Sequence, residues 1–338
     1  MSEAPHVDAS ALERGGAAAE VSAEAWLRAL LDVEAALARA CAGTDLIPED
    51  AADEIAAVCV VGGFEPVAID ATFADGGDPL AALVAQLRER VGGEAAAFVQ
   101  FGASSRDVLD TAAMLVAKRA LAAILDDADG AAEACAALAR RHRETPAFGL
   151  RAAGWMTGID EAWLAVSEAA ERVLAVQLGG PTGTRAAWGD AGWEVAAAVA
   201  EELELVDPVL PWPDDRVRPA ALAGAVALLA GALGRAGRDV LPLVRAGAAR
   251  EPGGAAAVVA CATRVPGLVA TLHAAMLGGD ERAAEWETLS DLLRLTGAAA
   301  AWARETLEGL EVEAERLGAG ELDAAAAVLV DAALDARG

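Results

Sequence analysis

The chain has 338 residues, of which 55% are hydrophobic and only 4% aromatic, with no tyrosine. Much of the apolar content is alanine, and because alanine has the highest helix propensity, this composition favours packed helices over a β-sandwich. The formal net charge of -27 argues against a general nucleic-acid binder, since so negative a surface repels phosphate backbones.

Helical periodicity extends along most of the chain. Residues 1–20 lack it and are expected to form a disordered lead-in. An amphipathic helix is predicted over 22–43, a short helix over 49–60, and another that ends at Arg90 after a Gly- and Asp-rich turn at 75–79. Longer helices are predicted near residues 106–128, 130–144, 148–176, 191–204, 217–247, 254–277 and 283–313.

Several of these helices are apolar on most faces, for example over 220–233. A helix that is hydrophobic all round must be buried on all sides, which predicts packing against other subunits as well as within the chain. The longest apolar stretch, 219–233, is shorter than the ~20 residues that span a bilayer. The N-terminus does not resemble a signal peptide. The expectation is therefore a cytoplasmic protein without a membrane segment.

Four cysteines, Cys41, Cys59, Cys135 and Cys261, are scattered along the chain without a CxxC pair or the spacing of a metal site. Each is flanked by alanine or valine and is interpreted as a small core residue, with disulfide or thiol chemistry as the lesser alternative. The sequence therefore predicts neither a metal site nor a cofactor.

Residues 99–112, VQFGASSRDVLDTA, resemble the first signature region of the fumarase/aspartase superfamily. They are most similar to the pattern V-H-W-G-A-T-S-Q-D-V-x-D-T-A of its 3-carboxy-cis,cis-muconate cycloisomerase branch. Further segments resemble that branch in the same order along the chain, and the likeness extends from near residue 22 to residue 317. These segments are residues 31–40 with 46–48, 148–155, 179–184, 262–268 and 284–289.

The resemblance implies an all-α fold with a central bundle of long helices that assembles into a tetrameric core. Residues 21–92 are then expected to form an N-terminal helical domain, 93–305 the central helical bundle, and 306–338 the remnant of a C-terminal helical domain. Active sites of the superfamily lie where three subunits meet, and the reaction removes or adds a group β to a carboxylate. The resemblance thus implies a homotetramer and a small-molecule substrate, for which a carboxylate-bearing compound is one option.

The segments that carry the acid–base chemistry of the superfamily have no counterpart in the sequence. Gln100 replaces the histidine of the first signature, and glutamine does not titrate near neutral pH. A Gly-Arg-Thr-His-x-Gln segment with a catalytic histidine would follow residues 143–146, but the chain continues directly into Phe148. The loop with the serine thought to be the general base would follow Arg245, yet residues 245–254 contain no serine, lysine or asparagine.

A polar loop-to-helix junction remains, and it supplies the predicted site. Ser105 and Arg106 are predicted to act in catalysis together with Glu287, because burial would raise the pKa of this carboxyl and suit it to act as a base. Two alternatives stay open: Ser105 or Asp107 only caps the following helix, and Glu287 forms a salt bridge between helices. The predicted substrate-binding residues are Gln100, Ser104, Asp107, Trp155, Thr182, Trp212, Arg216 and Trp286.

Tryptophans form a second group of candidates. Residues 212–216, WPDDR, resemble the W-H-T-Q-R-D stretch of the superfamily with its histidine lost. Loss of the catalytic segments would leave an enlarged apolar cavity. The side chains expected to line it are Trp155, Trp188, Trp193 and Trp212.

Two hypotheses of different classes follow. The first is an enzyme of the lyase superfamily, repurposed for cyclisation, isomerisation or elimination on a small molecule without the ancestral Ser/His machinery. The second is a catalytically inactive pseudoenzyme that acts as a helical scaffold or partner-binding subunit. Retention of the serine-containing signature favours the enzyme.

Overall fold

The computed structural model describes residues 12–64, 80–143, 145–277, 282–313, 316 and 324–337. Within these ranges the chain is helical, which confirms the predicted all-α class. The turn predicted at 75–79 lies outside them. The helices are α1 Ala17–Glu20, α2 Ala23–Gly43, α3 Glu49–Val58, α4 Ala81–Val91, α5 Ser105–Arg141, α6 Pro146–Val173, α7 Gly192–Leu203, α8 Val217–Arg245, α9 Ala255–Ala275, α10 Arg282–Glu308 and α11 Ala324–Arg337.

Extended structure is scarce in the described ranges. Strands β1, Ala249–Arg250, and β2, Glu311–Val312, pair antiparallel, and an isolated parallel bridge joins Ala175 to Val206. Short 3-10 helices cover Ala95–Phe98 and Ala186–Ala191.

Helices α5, α6, α8, α9 and α10 pack side by side as a bundle. Helices α2 and α7 pack against each other, and α2 also lies along α5, while α11 lies against α6. The buried apolar residues of the described ranges form one continuous core cluster that extends from Ala17 to Val330. The boundaries predicted at residues 92 and 305 are not visible as breaks in this core, and they stay predictions.

Within the predicted lead-in, the structure describes residues 12–20, which include helix α1. Helix α1 packs on α5 and α10. Ala17 is buried so close to Gly297 that a Cβ atom added at Gly297 would collide with the Ala17 side chain. Arg14 adds a hydrogen bond of 2.8 Å from Nε to the Glu305 carboxylate. Residues 1–11 lie outside the described ranges.

Helix α5 is continuous where the sequence predicts two helices separated near Gly130. The Arg304 side chain of α10 crosses α5 at this glycine, and a Cβ atom there would lie 2.6 Å from Arg304 Nε. Gly130 therefore permits close approach of α10 instead of ending the helix. This requirement arises from a residue distant in sequence, so a local pattern cannot reveal it.

Among the described residues, helices α8 and α9 are long and apolar enough to cross a membrane by length and composition alone. In the most apolar 18-residue window of each helix, the buried share is 44% for α8 and 28% for α9. The core helix of a protein without membrane contact meets the same criteria. Much apolar surface of α9 is left uncovered by the described residues of one chain.

Candidate functional site

A cleft of about 960 Å³ lies at the N-terminal end of α5. Its walls are the first turns of α5, the loop after α6, the segment that precedes α8, and one side chain of α10. The lining residues are Ser104, Ser105, Arg106, Leu109, Asp110, Gly180, Pro181, Thr182, Gly183, Pro211, Trp212, Pro213, Asp214, Asp215 and Trp286.

The N-terminus of α5 is held by a reciprocal capping box. Ser104 Oγ accepts the Asp107 N–H at 3.3 Å, and Asp107 Oδ2 accepts the Ser104 N–H at 2.7 Å. The cap is therefore Ser104 with Asp107, one residue before the Ser105 that the sequence suggested. Capping satisfies backbone donors that would otherwise lack a partner and fixes where the helix begins.

Asp107 also joins α5 to the opposite wall of the cleft. Its Oδ1 accepts hydrogen bonds of 2.8 Å from Gln177 Nε2 and from the Gly179 N–H, and its Oδ2 accepts the Gly180 N–H at 3.0 Å. The side chain is fully buried and is not part of the cleft lining. The structure thus gives Asp107 the capping role left open as an alternative; its role in substrate binding stays a prediction.

Gln177 positions Trp212 in the cleft wall. Its Oε1 accepts the Trp212 N–H at 2.5 Å, and the Trp212 indole N–H donates to the carbonyl of Val176 at 2.9 Å. Thr111 on α5 holds Gln177 in turn, because its hydroxyl accepts the Gln177 N–H at 2.9 Å. Trp212, one of the predicted binding residues, is therefore rigidly placed.

Arg216 forms a buried ionic triad with Asp110 and Glu285. Its Nη1 lies 2.9 Å from Asp110 Oδ2, and its Nε and Nη2 donate to the two oxygens of Glu285 at 2.9 and 2.8 Å. The guanidinium also lies 5.2 Å from the ring centroid of Trp212 and 4.8 Å from that of Trp286. The predicted binding residue Arg216 is thus buried next to the cleft-lining rings and is not itself part of the lining.

The triad carries two negative charges and one positive charge. Burial alone would lower the pKa of Arg216, but the charges of Asp110 and Glu285 and their hydrogen bonds outweigh it and raise the pKa. Asp110 and Glu285 are site residues that the sequence analysis missed. The available signal was an acidic residue in an otherwise apolar stretch, since Asp110 follows Val108 and Leu109 directly.

Two further aspartates line the mouth of the cleft. Asp214 Oδ1 lies 3.0 Å from Arg106 Nη1, and both side chains are exposed. Asp215 Oδ1 accepts the Val217 N–H at 2.9 Å. Thr182 lies nearby, with its hydroxyl 2.7 Å from that of Thr184. The structure therefore brings the predicted residues Ser104, Ser105, Arg106, Thr182, Trp212 and Trp286 together.

Three other predicted residues lie away from the cleft lining. Gln100 adopts a left-handed backbone with φ of 59°, and its N–H donates to Glu34 Oε2 at 3.1 Å. Trp155 is buried, and its indole N–H donates to Asp239 Oδ2 of α8 at 2.9 Å, so it joins two bundle helices. Glu287 is exposed, because residues two positions apart on a helix point in different directions and Glu285 takes the buried position.

The enlarged cavity lined by four tryptophans is not observed. The Trp188 ring is buried, and its indole N–H donates to the Phe101 carbonyl at 3.0 Å. Trp193 is exposed, with the Arg185 guanidinium 4.4 Å from its ring centroid. Of the four rings proposed, the cleft contains only that of Trp212 among the described residues.

The histidines with described positions lie elsewhere. His142 is buried just after α5, 5.0 Å from the Phe148 ring, and burial together with Arg141 lowers its pKa. His273 is exposed on α9. His6 lies outside the described residues. Within the described part of the chain, therefore, no imidazole reaches the cleft.

Thiols and the single lysine offer no alternative base at the cleft. Burial raises the pKa of Cys41 to about 12, and it also raises that of Cys59 to about 12. Lys118 donates to the carbonyl of Glu204 at 3.0 Å and pairs with its carboxylate at 2.6 Å. These contacts hold the lysine at the end of α7.

The connection from α8 to α9 folds back on the end of α10. The Glu313 N–H donates to the Ala248 carbonyl at 2.9 Å, next to the β1–β2 pair. A Cβ atom at Gly254 would lie 2.6 Å from Thr306 Oγ1, so this glycine and its φ of 137° allow the close approach. Residues 246–254 thus form a short packed connection between α8 and α9.

Comparison with known proteins shows the family to which the chain belongs. Over 331 aligned residues the chain is 38% identical to 3-carboxy-cis,cis-muconate cycloisomerase from Pseudomonas aeruginosa, with 86% of this chain and 72% of the relative covered. The chain belongs to the fumarase/aspartase superfamily. Its relatives include nitrosuccinate lyase from Streptomyces davaonensis, which is 37% identical, with 88% of this chain and 73% of that protein covered. A scan against protein-family models gives no match.

The superfamily fold is also found in solved structures. The 3-carboxy-cis,cis-muconate lactonizing enzyme from Pseudomonas putida superposes with a TM-score of 0.82 at 35% identity, covering 88% of this chain and 74% of that chain. The relatives are lyases and cycloisomerases, so the chain has a lyase-superfamily function. Two relatives with different named activities have almost equal identity, so identity alone does not select the reaction.

Proposed function

We propose that the chain is an enzyme that catalyses cyclisation, isomerisation or elimination on a small molecule without the Ser/His acid–base machinery of its relatives. The cleft at the N-terminus of α5 is its active site. One observation carries the proposal: the cleft keeps Ser104, Ser105, Arg106 and two tryptophan rings, while no histidine among the described residues lines it.

The alignment length supports the loss of internal segments. The alignment is 331 positions long, but it covers only 86% of this 338-residue chain, which is fewer residues than that. Some positions of the relative therefore align with gaps in this chain. We place these gaps at two connections, the one between α5 and α6 and the one between α8 and α9.

Catalysis in such a cleft would come from positioning and from fixed polar groups. Holding a substrate in a reactive geometry is worth several kcal/mol even without a proton donor. Arg106 and Ser105 supply a cation and a hydroxyl at the cleft wall, and both can stabilise charge that develops on a reacting oxygen. A catalytic role for Glu287, which is exposed in one protomer, requires a cleft completed by another copy of the chain.

We further propose a homo-oligomer, a tetramer by analogy with the superfamily, in the cytoplasm. The exposed apolar surface of α8 and α9 supports this assembly, since burial between copies of the chain removes that surface from water. A pseudoenzyme that acts as a scaffold is the second candidate. The observation that favours it is the absence of a histidine, thiol or lysine from the described cleft lining.

Two assays test the proposal. Purified protein should not turn over 3-carboxy-cis,cis-muconate, fumarate or adenylosuccinate, and turnover of any of them would show that the ancestral chemistry persists. In the second assay, a small-molecule extract is incubated with the wild type, with Arg106→Ala and with Arg140→Ala, and followed by mass spectrometry. Arg140 is an exposed arginine near the other end of α5 and serves as the control.

The expected result is a compound consumed by the wild type and Arg140→Ala but spared by Arg106→Ala. Consumption by none of the three would favour the pseudoenzyme. Glu287→Gln measured in the same assay shows whether this exposed carboxylate reaches the cleft of a neighbouring protomer.

A further inference from the structure

We propose that Arg185 is a positioning residue for the reaction in this cleft. Its guanidinium fixes one end of the cleft loop, defined as residues 179–184, and thereby sets where Thr182 stands relative to the substrate. The inference rests on the proposed function, because it concerns a wall of the same cleft.

The cleft loop has few contacts of its own in its middle. Pro181, Thr182 and Gly183 line the cleft. The hydroxyls of Thr182 and Thr184 lie 2.7 Å apart, and the Gly183 N–H donates to the Gly180 carbonyl at 3.1 Å. Both contacts join residues of the loop to each other. The position of the loop in the cleft wall therefore depends on how its two ends are held.

Asp107 holds the first end of the cleft loop. Its buried carboxylate accepts the Gly179 N–H at 2.8 Å and the Gly180 N–H at 3.0 Å. Because Asp107 also belongs to the cap of α5, this end of the loop is joined to the start of that helix.

Arg185 holds the second end and is only 4% exposed. Its backbone N–H donates to the Gly179 carbonyl at 2.8 Å, and its Nε donates to the Leu178 carbonyl at 3.1 Å. Its Nη2 lies 3.5 Å from Asp207 Oδ1, and the guanidinium lies 4.4 Å from the ring centroid of Trp193. One side chain thus joins the end of the loop to α7 and to the segment that precedes α8.

The contacts at the second end are mainly electrostatic. Arg185 Nη1 and Nη2 are buried and form no hydrogen bond within the described part of the chain. The guanidinium is held by the Nε hydrogen bond, by the charge of Asp207 and by the Trp193 ring, whose face attracts cations. Removal of the guanidinium should therefore release this end of the loop, while the hydrogen bonds to Asp107 keep the first end in place.

The backbone at Arg185 also depends on these contacts. Its φ of 63° and ψ of 8° are left-handed, a conformation that costs free energy for a residue with a side chain. A Cβ atom at Gly192 would lie 2.9 Å from Arg185 Cβ, so this glycine provides the space that the conformation requires. A strained backbone persists only where the surrounding contacts hold it, and the guanidinium supplies such contacts here.

The test compares the wild type with two variants of Arg185. Asparagine adopts the left-handed backbone more readily than most residues, so Arg185→Asn removes the guanidinium without adding backbone strain. Arg185→Lys keeps a positive charge for Asp207 and Trp193 but loses the Nε donor.

The matched control is Arg14→Asn. Arg14 likewise donates from Nε to a carboxylate, that of Glu305, at 2.8 Å, and its guanidinium lies 4.9 Å from the Trp302 ring centroid. It lies outside the described cleft lining. The control therefore removes the same kind of contact from another part of the molecule.

Two measurements are made on the full-length protein. In hydrogen–deuterium exchange, peptides that cover residues 179–184 should exchange about tenfold faster in Arg185→Asn, a change of ~1.4 kcal/mol, while peptides from the middle of α5 stay unchanged. For the compound consumed by the wild type, KM should rise about tenfold with little change in kcat, because the loop contacts the substrate before and during the reaction. Arg185→Lys should recover part of both losses.

The inference is overturned if either loop exchange or KM is unchanged in Arg185→Asn, or if Arg14→Asn changes them equally. A fall in kcat at constant KM would likewise overturn it, since that result reports a smaller active fraction. Failure of the proposed function would be recognised separately, because the wild type would then consume no compound, and the exchange measurement would still decide whether Arg185 holds the loop.

Discussion

Two arginine–carboxylate contacts join the same two elements of the cleft, α5 and the segment that precedes α8. In the buried triad, the Arg216 side chain is 3% exposed and those of Asp110 and Glu285 are each 2% exposed. In the pair at the mouth, Arg106 is 44% exposed and Asp214 is 84% exposed. The chemistry of the groups is alike, but burial makes the first a permanent part of the fold and leaves the second open to exchange with a ligand.

The largest effect should come from breaking the buried triad. Arg216→Met keeps an unbranched apolar stem but removes the guanidinium, so Asp110 and Glu285 stay buried without their cation. Removing one partner of a buried ion pair costs about 3–5 kcal/mol. Urea unfolding should therefore show a loss of this size in the free energy of unfolding. A loss below about 1 kcal/mol would mean that the triad is solvated and resembles the pair at the mouth.

Glu34 extends the comparison, because it is a buried carboxylate that forms no ion pair with a described arginine. Burial raises the pKa of Glu34 from its ordinary value of 4.5 to about 7, although a hydrogen bond from the Gln100 backbone and the charge of Arg88 lower it in part. The folded protein therefore binds the proton more tightly than the unfolded chain does. The contribution of Glu34 to the free energy of unfolding is therefore greatest below pH 4.5 and falls as the pH rises to about 7.

Glu34→Gln should remove this part of the pH dependence. The amide oxygen can still accept the Gln100 N–H, and no carboxyl has to ionise in the core. The variant should gain up to about 3 kcal/mol relative to the wild type at pH 8, and little at pH 4.5. Urea unfolding at both pH values measures the difference, with the exposed Glu24→Gln as control. Parallel pH profiles for Glu34→Gln and the wild type would contradict the assignment.

The smallest effect on stability is expected at the mouth of the cleft. Arg106→Met removes an exposed ion pair, and exposed pairs contribute about 0–1 kcal/mol. Thermal and urea unfolding should therefore hardly change, while consumption of the substrate is lost. A destabilisation as large as that of Arg216→Met would show that the two contacts are equivalent, against the comparison drawn above.

The sequence predicted those helix ends that are determined by residues next to them in the chain. Ser22 caps α2 and Gly43 is its last residue, as the pattern indicates. The superfamily signature led to the loop-to-helix junction that forms the cleft. The prediction that a helix ends near Gly130 was wrong, because this glycine makes room for the side chain of Arg304, a residue far away in sequence.

The surroundings of the site side chains could not be predicted from the sequence. Asp107 and Arg216, which were predicted to bind substrate, have buried partners from other helices and loops. Glu287 was chosen instead of Glu285, although the two positions lie about half a helical turn apart, one exposed and the other buried. Such distinctions depend on how α5, α8 and α10 pack, and one helix's sequence does not contain them.

The uninterrupted course of α5 has a practical consequence. A helix of 37 residues is about 55 Å long, so the cleft at Ser104 and the last residue, Arg141, lie at opposite ends of one rigid rod. A fluorophore or a surface tether attached beyond Arg141 would sit far from the reacting groups. The far end of this rod is thus a suitable handle for immobilising the protein while its cleft remains open.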